Sequence, residues 1–113
     1  MLPLTPYTLH SVYKFLCSTP PFESWNLPDA SDVVFKVVRD RSRHGRHYVV
    51  KGRQVIEISS GAVGHTMTLV QTMAHEMIHV HQDRTRMSRT HGPAFMKLAQ
   101  LVCKIHGFDP KAF

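Results

Sequence analysis

The sequence predicts a single α+β domain with an N-terminal helix, a three-stranded mostly antiparallel sheet and two further helices. Two observations support this prediction. Apolar residues recur at helical spacing in three segments, and β-branched residues concentrate between residues 33 and 59. A chain of 113 residues can bury one hydrophobic core but has no room for a second. We therefore expect residues 1–113 to form one domain.

The first half of the chain is expected to hold one helix and the sheet. Thr5 followed by a proline resembles a helix N-cap, so a helix and a proline-containing loop are predicted within residues 1–30. Residues 31–60 are predicted to form a β-meander with strands at 33–38, 47–50 and 54–59. Lys51-Gly52 is expected to form the tight turn between the last two strands.

The second half of the chain is expected to hold two helices. Apolar residues at helical spacing predict one helix over residues 66–84 and another over residues 93–106. Pro93 suits the first turn of the second of these helices, and Gly107 suits its end. The helix over 66–84 is apolar on most sides, which indicates that it is buried in the core.

This buried helix contains the pentapeptide His75-Glu76-Met77-Ile78-His79. Histidines at positions i and i+4 lie one turn apart on the same face, so both imidazoles can reach one metal ion. The glutamate between them can act on a metal-bound water, as in zinc metallopeptidases. The alternative is a core helix with hydrogen-bonded histidines, but buried polar groups of this kind are costly unless they are paired or bound to metal.

A third ligand must come from elsewhere in the chain. Gln82 and Thr85 occupy the positions where a metzincin has glycine and histidine, and no glutamate follows Glu76. The remaining candidates are Asp83, His81, His91 and His106.

We favour His91, because it immediately precedes a helix whose packing can fix its position. Asp83 lies one turn beyond His79 and could ligate the metal or orient that histidine by a hydrogen bond. His81 is turned about 200° from His79 at the helical repeat and should face away from the site. His106 suits a helix-terminal cation.

The pentapeptide, a polar loop and then His91-Gly92-Pro93-Ala94-Phe95 together resemble the SprT-like family of zinc metallopeptidases, which includes the DNA-dependent protease Spartan. The resemblance covers about residues 30–108. It implies a zincin-like domain in which His75, His79 and His91 bind one Zn²⁺ and Glu76 is the general base. Many members also carry a cysteine-rich zinc ribbon, which this chain lacks because Cys17 and Cys103 are its only cysteines.

Composition and charge indicate which cellular location and which partners to expect. There is no apolar run near 18 residues and no signal-peptide pattern, so we expect no membrane partner and a cytoplasmic or nucleoid-associated monomer. The net charge of +6 favours a nucleic-acid partner bound through its phosphate backbone. The candidate contacts are Lys36, Arg39, Arg41, Arg43, Arg46, Lys51, Arg53, Arg84, Arg86 and Arg89. The alternative is a charged surface that only confers solubility.

The strand over residues 54–59 directly precedes the motif helix. In zincins such a strand commonly borders the cleft, and an extended substrate adds to its edge. Gln54, Ile56 and Ile58 are therefore candidate substrate-binding residues, although the two isoleucines could serve the core alone.

The sequence thus predicts a zinc-dependent endopeptidase that acts on a protein or peptide substrate, with DNA-associated proteins as the expected targets. Two alternatives are a metallopeptidase without a DNA role and a zinc-stabilised binding module for nucleic acid or protein that has no turnover. The presence of Glu76 favours an enzyme, because a purely structural zinc site has no need of a base.

Overall fold

The computed structural model describes residues 4–87 and 90–113. It contains three helices, α1 (Pro6–Cys17), α2 (Thr66–Arg84) and α3 (Pro93–His106), and three strands, β1 (Val33–Val38), β2 (Gly45–Val50) and β3 (Arg53–Ser59). Two short 3₁₀ turns, Phe22–Ser24 and Ala30–Asp32, lie between α1 and β1. The predicted α+β class is confirmed, and α2 and α3 occupy the predicted ranges.

The strand order differs from the predicted meander. The order is β1-β3-β2, with β1 parallel to β3 and β2 antiparallel to β3, so the sheet is mixed rather than mostly antiparallel. The predicted turn at Lys51-Gly52 is present, and both residues have positive φ, as a two-residue hairpin requires. The error lies in the connection between β1 and β2, which crosses the end of β3.

Ser59 holds this crossover at the end of β3. Its buried hydroxyl donates to the Asp40 carbonyl and accepts from the Asp40 amide at 3.0 Å. The Ser59 amide donates to the His44 carbonyl at 2.8 Å. β3 thus lies between β1 and β2. As expected of a central strand, its side chains are buried over almost its whole length.

The core lies between one face of the sheet and the helices. α1 packs on β1 and α2, while α2 also packs on β2, β3 and α3. α2 buries side chains around most of its circumference, including Leu69, Met73 and Met77, which are inaccessible to solvent. Within the described residues, no helix is long and apolar enough to cross a membrane.

Candidate metal centre

Three histidines converge at the point where α2 meets the start of α3. The Nε2 atom of His91 lies 3.2 Å from His75 Nε2 and 3.0 Å from His79 Nε2, and the three ligand atoms lie within 4.8 Å of one another. Two ligands of a tetrahedral zinc ion with Zn–N bonds of 2.0–2.1 Å are about 3.3 Å apart. The two distances to His91 therefore fit ligands of one tetrahedral metal ion, and all three imidazoles lie close enough together to share it.

The start of α3 positions His91. Gly92 is the N-cap of this helix and Pro93 occupies its first turn. Phe95, which is only 3% exposed, packs its ring against all three imidazoles, at centroid distances of 4.7 Å to His91 and 5.0 Å to His75 and His79. The sequence indicated Phe95 only as part of an apolar stripe. The structure shows that this ring forms the apolar side of the histidine cluster.

Gln82 fixes the orientation of His79. The His79 Nδ1–H donates to Gln82 Oε1 at 2.8 Å, and Gln82 is inaccessible to solvent. Because Nδ1 is the protonated nitrogen, Nε2 keeps its lone pair and is the atom that faces the other two histidines. Sequence reasoning missed this role, although Gln82 lies at position i+3 from His79 on the same helix.

Asp83 hydrogen-bonds to a side chain of the sheet. Its carboxylate accepts a hydrogen bond from Gln54 Nε2 at 2.8 Å. Gln54 Oε1 in turn accepts from the Nε2–H of His47, whose ring stacks on His79 at 6.3 Å between centroids. Asp83 is thus connected to His79 through these intervening side chains, whereas Gln82, the residue before it, hydrogen-bonds to His79 directly.

Burial keeps His75 in the form that binds metal. Desolvation, together with the neighbouring His79, His91 and His44, lowers the pKa of His75 to about 3. The imidazole is thus neutral near pH 7 with a lone pair available for coordination. A neutral imidazole nitrogen is a ligand well suited to zinc.

Glu76 lies beside this cluster and is only 4% exposed. Burial raises the pKa of Glu76 to about 8, and the Arg43 guanidinium opposes this shift. The carboxyl group lines a cleft of about 570 Å³ that also contains Gly45, His47 and the three histidines. A volume of this size is typical of ligand sites in proteins.

The strand that lines this cleft is β2, whereas β3, which the sequence suggested as the substrate strand, lies in the middle of the sheet. Both edges of β3 are paired, one with β1 and the other with β2. Ile56 and Ile58 are inaccessible to solvent in the core, and Gln54 is occupied by the hydrogen bonds described above. In the described part of the chain, β2 pairs only with β3, and Gly45 and His47 of β2 line the cleft.

Several of the predicted nucleic-acid contacts have partners within the protein. Arg46 forms an ion pair with Glu57 at 2.7 Å and lies 4.8 Å from the ring centroid of Tyr48, which also donates to Glu57. Hydrogen bonds and the charge of Arg46 lower the pKa of Glu57, so this pair is ionised at neutral pH. Arg43 pairs with Asp40 at 3.3 Å.

The remaining cationic residues are distributed over the surface. Arg84 donates to the Asn26 carbonyl. Arg39 and Arg41 line a shallow cleft together with Ser60 and Gly61. The other described candidates, Lys36, Lys51, Arg53 and Arg86, are exposed. Arg89 lies outside the described residues.

The fold and the site together place three histidines where they could hold one metal ion. A sequence model of the SprT-like family matches residues 22–112, which is well over half of the chain. The chain therefore belongs to the SprT-like family, whose members are generally of the zinc-metallopeptidase type. Searches of curated proteins and of solved structures gave no match.

Proposed function

We propose that this protein is a zinc-dependent endopeptidase. The observation that carries the proposal is the buried carboxyl group of Glu76 beside three imidazoles that converge in an accessible cleft. A structural zinc site is closed by four protein ligands, whereas a catalytic one has three and leaves a position for water or substrate. Three histidines at an open cleft follow the catalytic pattern.

In the proposed reaction, His75, His79 and His91 would hold the zinc ion. A bound zinc ion would supply a Lewis acid for the peptide carbonyl and lower the pKa of a coordinated water to about 7. Glu76 accepts a proton from the attacking water and later delivers it to the nitrogen of the leaving amine. A nearby dication favours the carboxylate form of Glu76, which offsets the effect of its burial.

The free edge of β2 is the proposed binding surface for the substrate backbone. Gly45 and His47 on this strand lie along the cleft next to α2. An extended peptide can add to such an edge by main-chain hydrogen bonds, which bind many different sequences. A protease that uses this edge would therefore act on unfolded or flexible protein segments.

The proposal is tested by Glu76→Gln beside the matched control Glu23→Gln, which changes an exposed glutamate. Loss of a general base typically costs 10²–10⁴-fold in rate. We expect cleavage of an unfolded protein such as reduced casein by the zinc-loaded wild type and the control, and none by Glu76→Gln, with one zinc per chain in all three. Loss of zinc from Glu76→Gln would instead assign Glu76 a ligand or structural role.

The second candidate is a zinc-stabilised binding module without turnover. It would be favoured if zinc-loaded wild type cleaved no protein with or without added DNA, although zinc bound with full occupancy. The open cleft and the buried base at the histidine cluster favour the enzyme over this alternative.

We further propose that the substrates are DNA-associated proteins and that the enzyme contacts the phosphate backbone. The net charge of +6 supports this, as does the cleft lined by Arg39 and Arg41, for which the described part of the chain gives no ion pair. Arg46 contributes less in this proposal, because Glu57 already neutralises it. Backbone contacts of this kind carry no sequence code.

The salt dependence of binding to single-stranded DNA tests this part of the proposal. Each lost phosphate contact lowers the slope of log K against log salt by about 0.7. We expect the double variant Arg39→Ala, Arg41→Ala to lower the slope by about 1.4, and Arg46→Ala to change it less. Equal affinity of the wild type and the double variant at every salt concentration would contradict the proposed phosphate contacts of Arg39 and Arg41. In the cleavage assay, a rate that does not respond to DNA would indicate a peptidase without a DNA role.

A further inference from the structure

A second cavity opens beside Glu76 at the end of the cleft. Its volume is about 200 Å³, and it shares Gly45, His75 and Glu76 with the cleft. Gln71 and Thr72 of α2 line another part of it. The cavity thus adjoins both the proposed base and the proposed metal site.

The segment that follows α3 forms one wall of this cavity. Gly107 ends α3 with φ of 78°, and its amide donates to the Cys103 carbonyl. The chain then turns at Asp109, whose Oδ1 accepts from the Lys111 amide at 2.9 Å and whose carbonyl accepts from the Ala112 amide at 3.0 Å. These two bonds direct the following residues back across α2.

Phe113 and Ala112 are held in this position by three contacts. The Phe113 ring stacks on Phe108, which is buried, at 5.9 Å between centroids. It also lies 5.3 Å from the ring of His75. Gln71 Nε2 donates to the Ala112 carbonyl at 3.0 Å, which joins the segment to α2. The wall is therefore fixed from both sides of the cavity.

The direction of β2 indicates which part of a substrate reaches this cavity. β2 begins at Gly45, close to Thr72 and the cavity, and passes His47, which stacks on His79. A peptide paired antiparallel to β2, the more stable arrangement, runs the other way. It therefore passes His79 first and reaches the cavity after Glu76, so the cavity receives a residue that follows the scissile bond.

We propose that Phe113 is a specificity-determining residue that limits the size of the substrate side chain directly after the scissile bond. This inference rests on the proposed peptidase function. A cavity of about 150 Å³ is large enough for benzene, so by volume about 200 Å³ admits a leucine or phenylalanine side chain between the polar residues of α2 and the Phe113 ring. Scaled by ring atoms, indole needs roughly 225 Å³, so tryptophan is disfavoured. Gln71 is a positioning residue, because it acts by holding the segment that carries Phe113.

The test uses four octapeptides that differ only at one central position, occupied by alanine, leucine, phenylalanine or tryptophan. The cleaved bond is identified by mass spectrometry. A side chain that does not fit its pocket typically changes kcat/KM by tenfold or more. We therefore expect wild type to cleave before leucine and phenylalanine about tenfold faster than before tryptophan. Phe113→Ala should remove this preference, and Phe113→Leu and Gln71→Met should reduce it.

The controls separate this proposal from the proposed function. Phe15→Ala changes an exposed phenylalanine on α1 and should leave the preference unchanged. Equal zinc affinity in all variants shows that the metal site is intact. An unchanged preference in both Phe113 variants would overturn the proposal while leaving the peptidase function intact.

If wild type cleaves none of the peptides, the result contradicts the proposed peptidase function and does not bear on the pocket. The pocket is then tested by the anisotropy of the same four peptides labelled with fluorescein. If wild type binds the tryptophan peptide more weakly than the leucine and phenylalanine peptides and Phe113→Ala restores this affinity, the proposed role of Phe113 is supported. Affinities that are the same in wild type and Phe113→Ala refute it.

Discussion

Gln82→Met should weaken zinc binding, although Gln82 touches no proposed metal position. The wild-type side chain is inaccessible to solvent and accepts the Nδ1–H of His79 at 2.8 Å. Methionine has nearly the same length and volume but offers no comparable acceptor, so the change removes the hydrogen bond with little change in packing. Without it, the imidazole of His79 is free to rotate or to change tautomer.

The expected magnitude follows from the role of such hydrogen bonds in metal sites. Loss of the group that orients a histidine ligand typically costs 10–100-fold in metal affinity. This corresponds to about 1.4 to 2.8 kcal/mol of binding free energy. Gln82→Glu keeps an acceptor at the same place and should stay within about tenfold of wild type, because the stronger acceptor offsets the cost of a buried charge.

The assay is competition for zinc with a chromophoric chelator of known affinity at pH 7. Gln100→Met, which changes an exposed glutamine on α3, is the matched control and should bind zinc as wild type does. Thermal unfolding of the metal-free proteins checks that each variant is folded. A folded Gln82→Met protein with wild-type zinc affinity would refute the idea that this hydrogen bond holds the ligand.

Two further predictions concern the metal-free protein and the sheet. Because burial raises the pKa of Glu76 to about 8, folded protein keeps a proton that unfolded protein releases, and the free energy of unfolding should fall between pH 6.5 and 8. This decrease is at most about 2 kcal/mol and should vanish in Glu76→Gln. It is measured by urea unfolding of both proteins, and pH profiles of wild type and Glu76→Gln that run parallel would contradict the prediction. The contribution of His75, whose pKa is about 3, is lost only at lower pH. Gly45→Ala should destabilise the folded protein by about 1–3 kcal/mol, because the new Cβ would lie 2.7 Å from the Glu57 carbonyl oxygen. Gly64→Ala is the control, since its Cβ meets no atom within 4 Å. Equal melting temperatures of the two variants would refute this prediction.

The helices and the histidine pair could be predicted from the sequence because their signals are local. Apolar spacing, Thr5 before a proline and Gly107 after the last helix are features of a few neighbouring residues. The helical repeat alone places His75 and His79 on one face. His91 was favoured because a helix follows it directly, and the structure brings its Nε2 atom to the other two.

The choice between Gln82 and Asp83 could not be made from the helical repeat. Both residues lie within reach of His79 on the same helix, at positions i+3 and i+4. The outcome depends on Gln54, which comes from β3 and donates to Asp83, leaving Gln82 to accept from His79. Only the packing of the sheet against α2 decides this.

The sequence by itself thus determined the helices and the histidine pair on α2, because both depend on residues close together along the chain. The tertiary structure decided the strand order, since a six-residue connection between β1 and β2 permits either a meander or the observed crossover held by Ser59. It also decided the pairing of Arg46 with Glu57 and the position of Phe113 beside His75. These contacts join residues that are separated in sequence, so they form and stabilise the protein only when the core is folded.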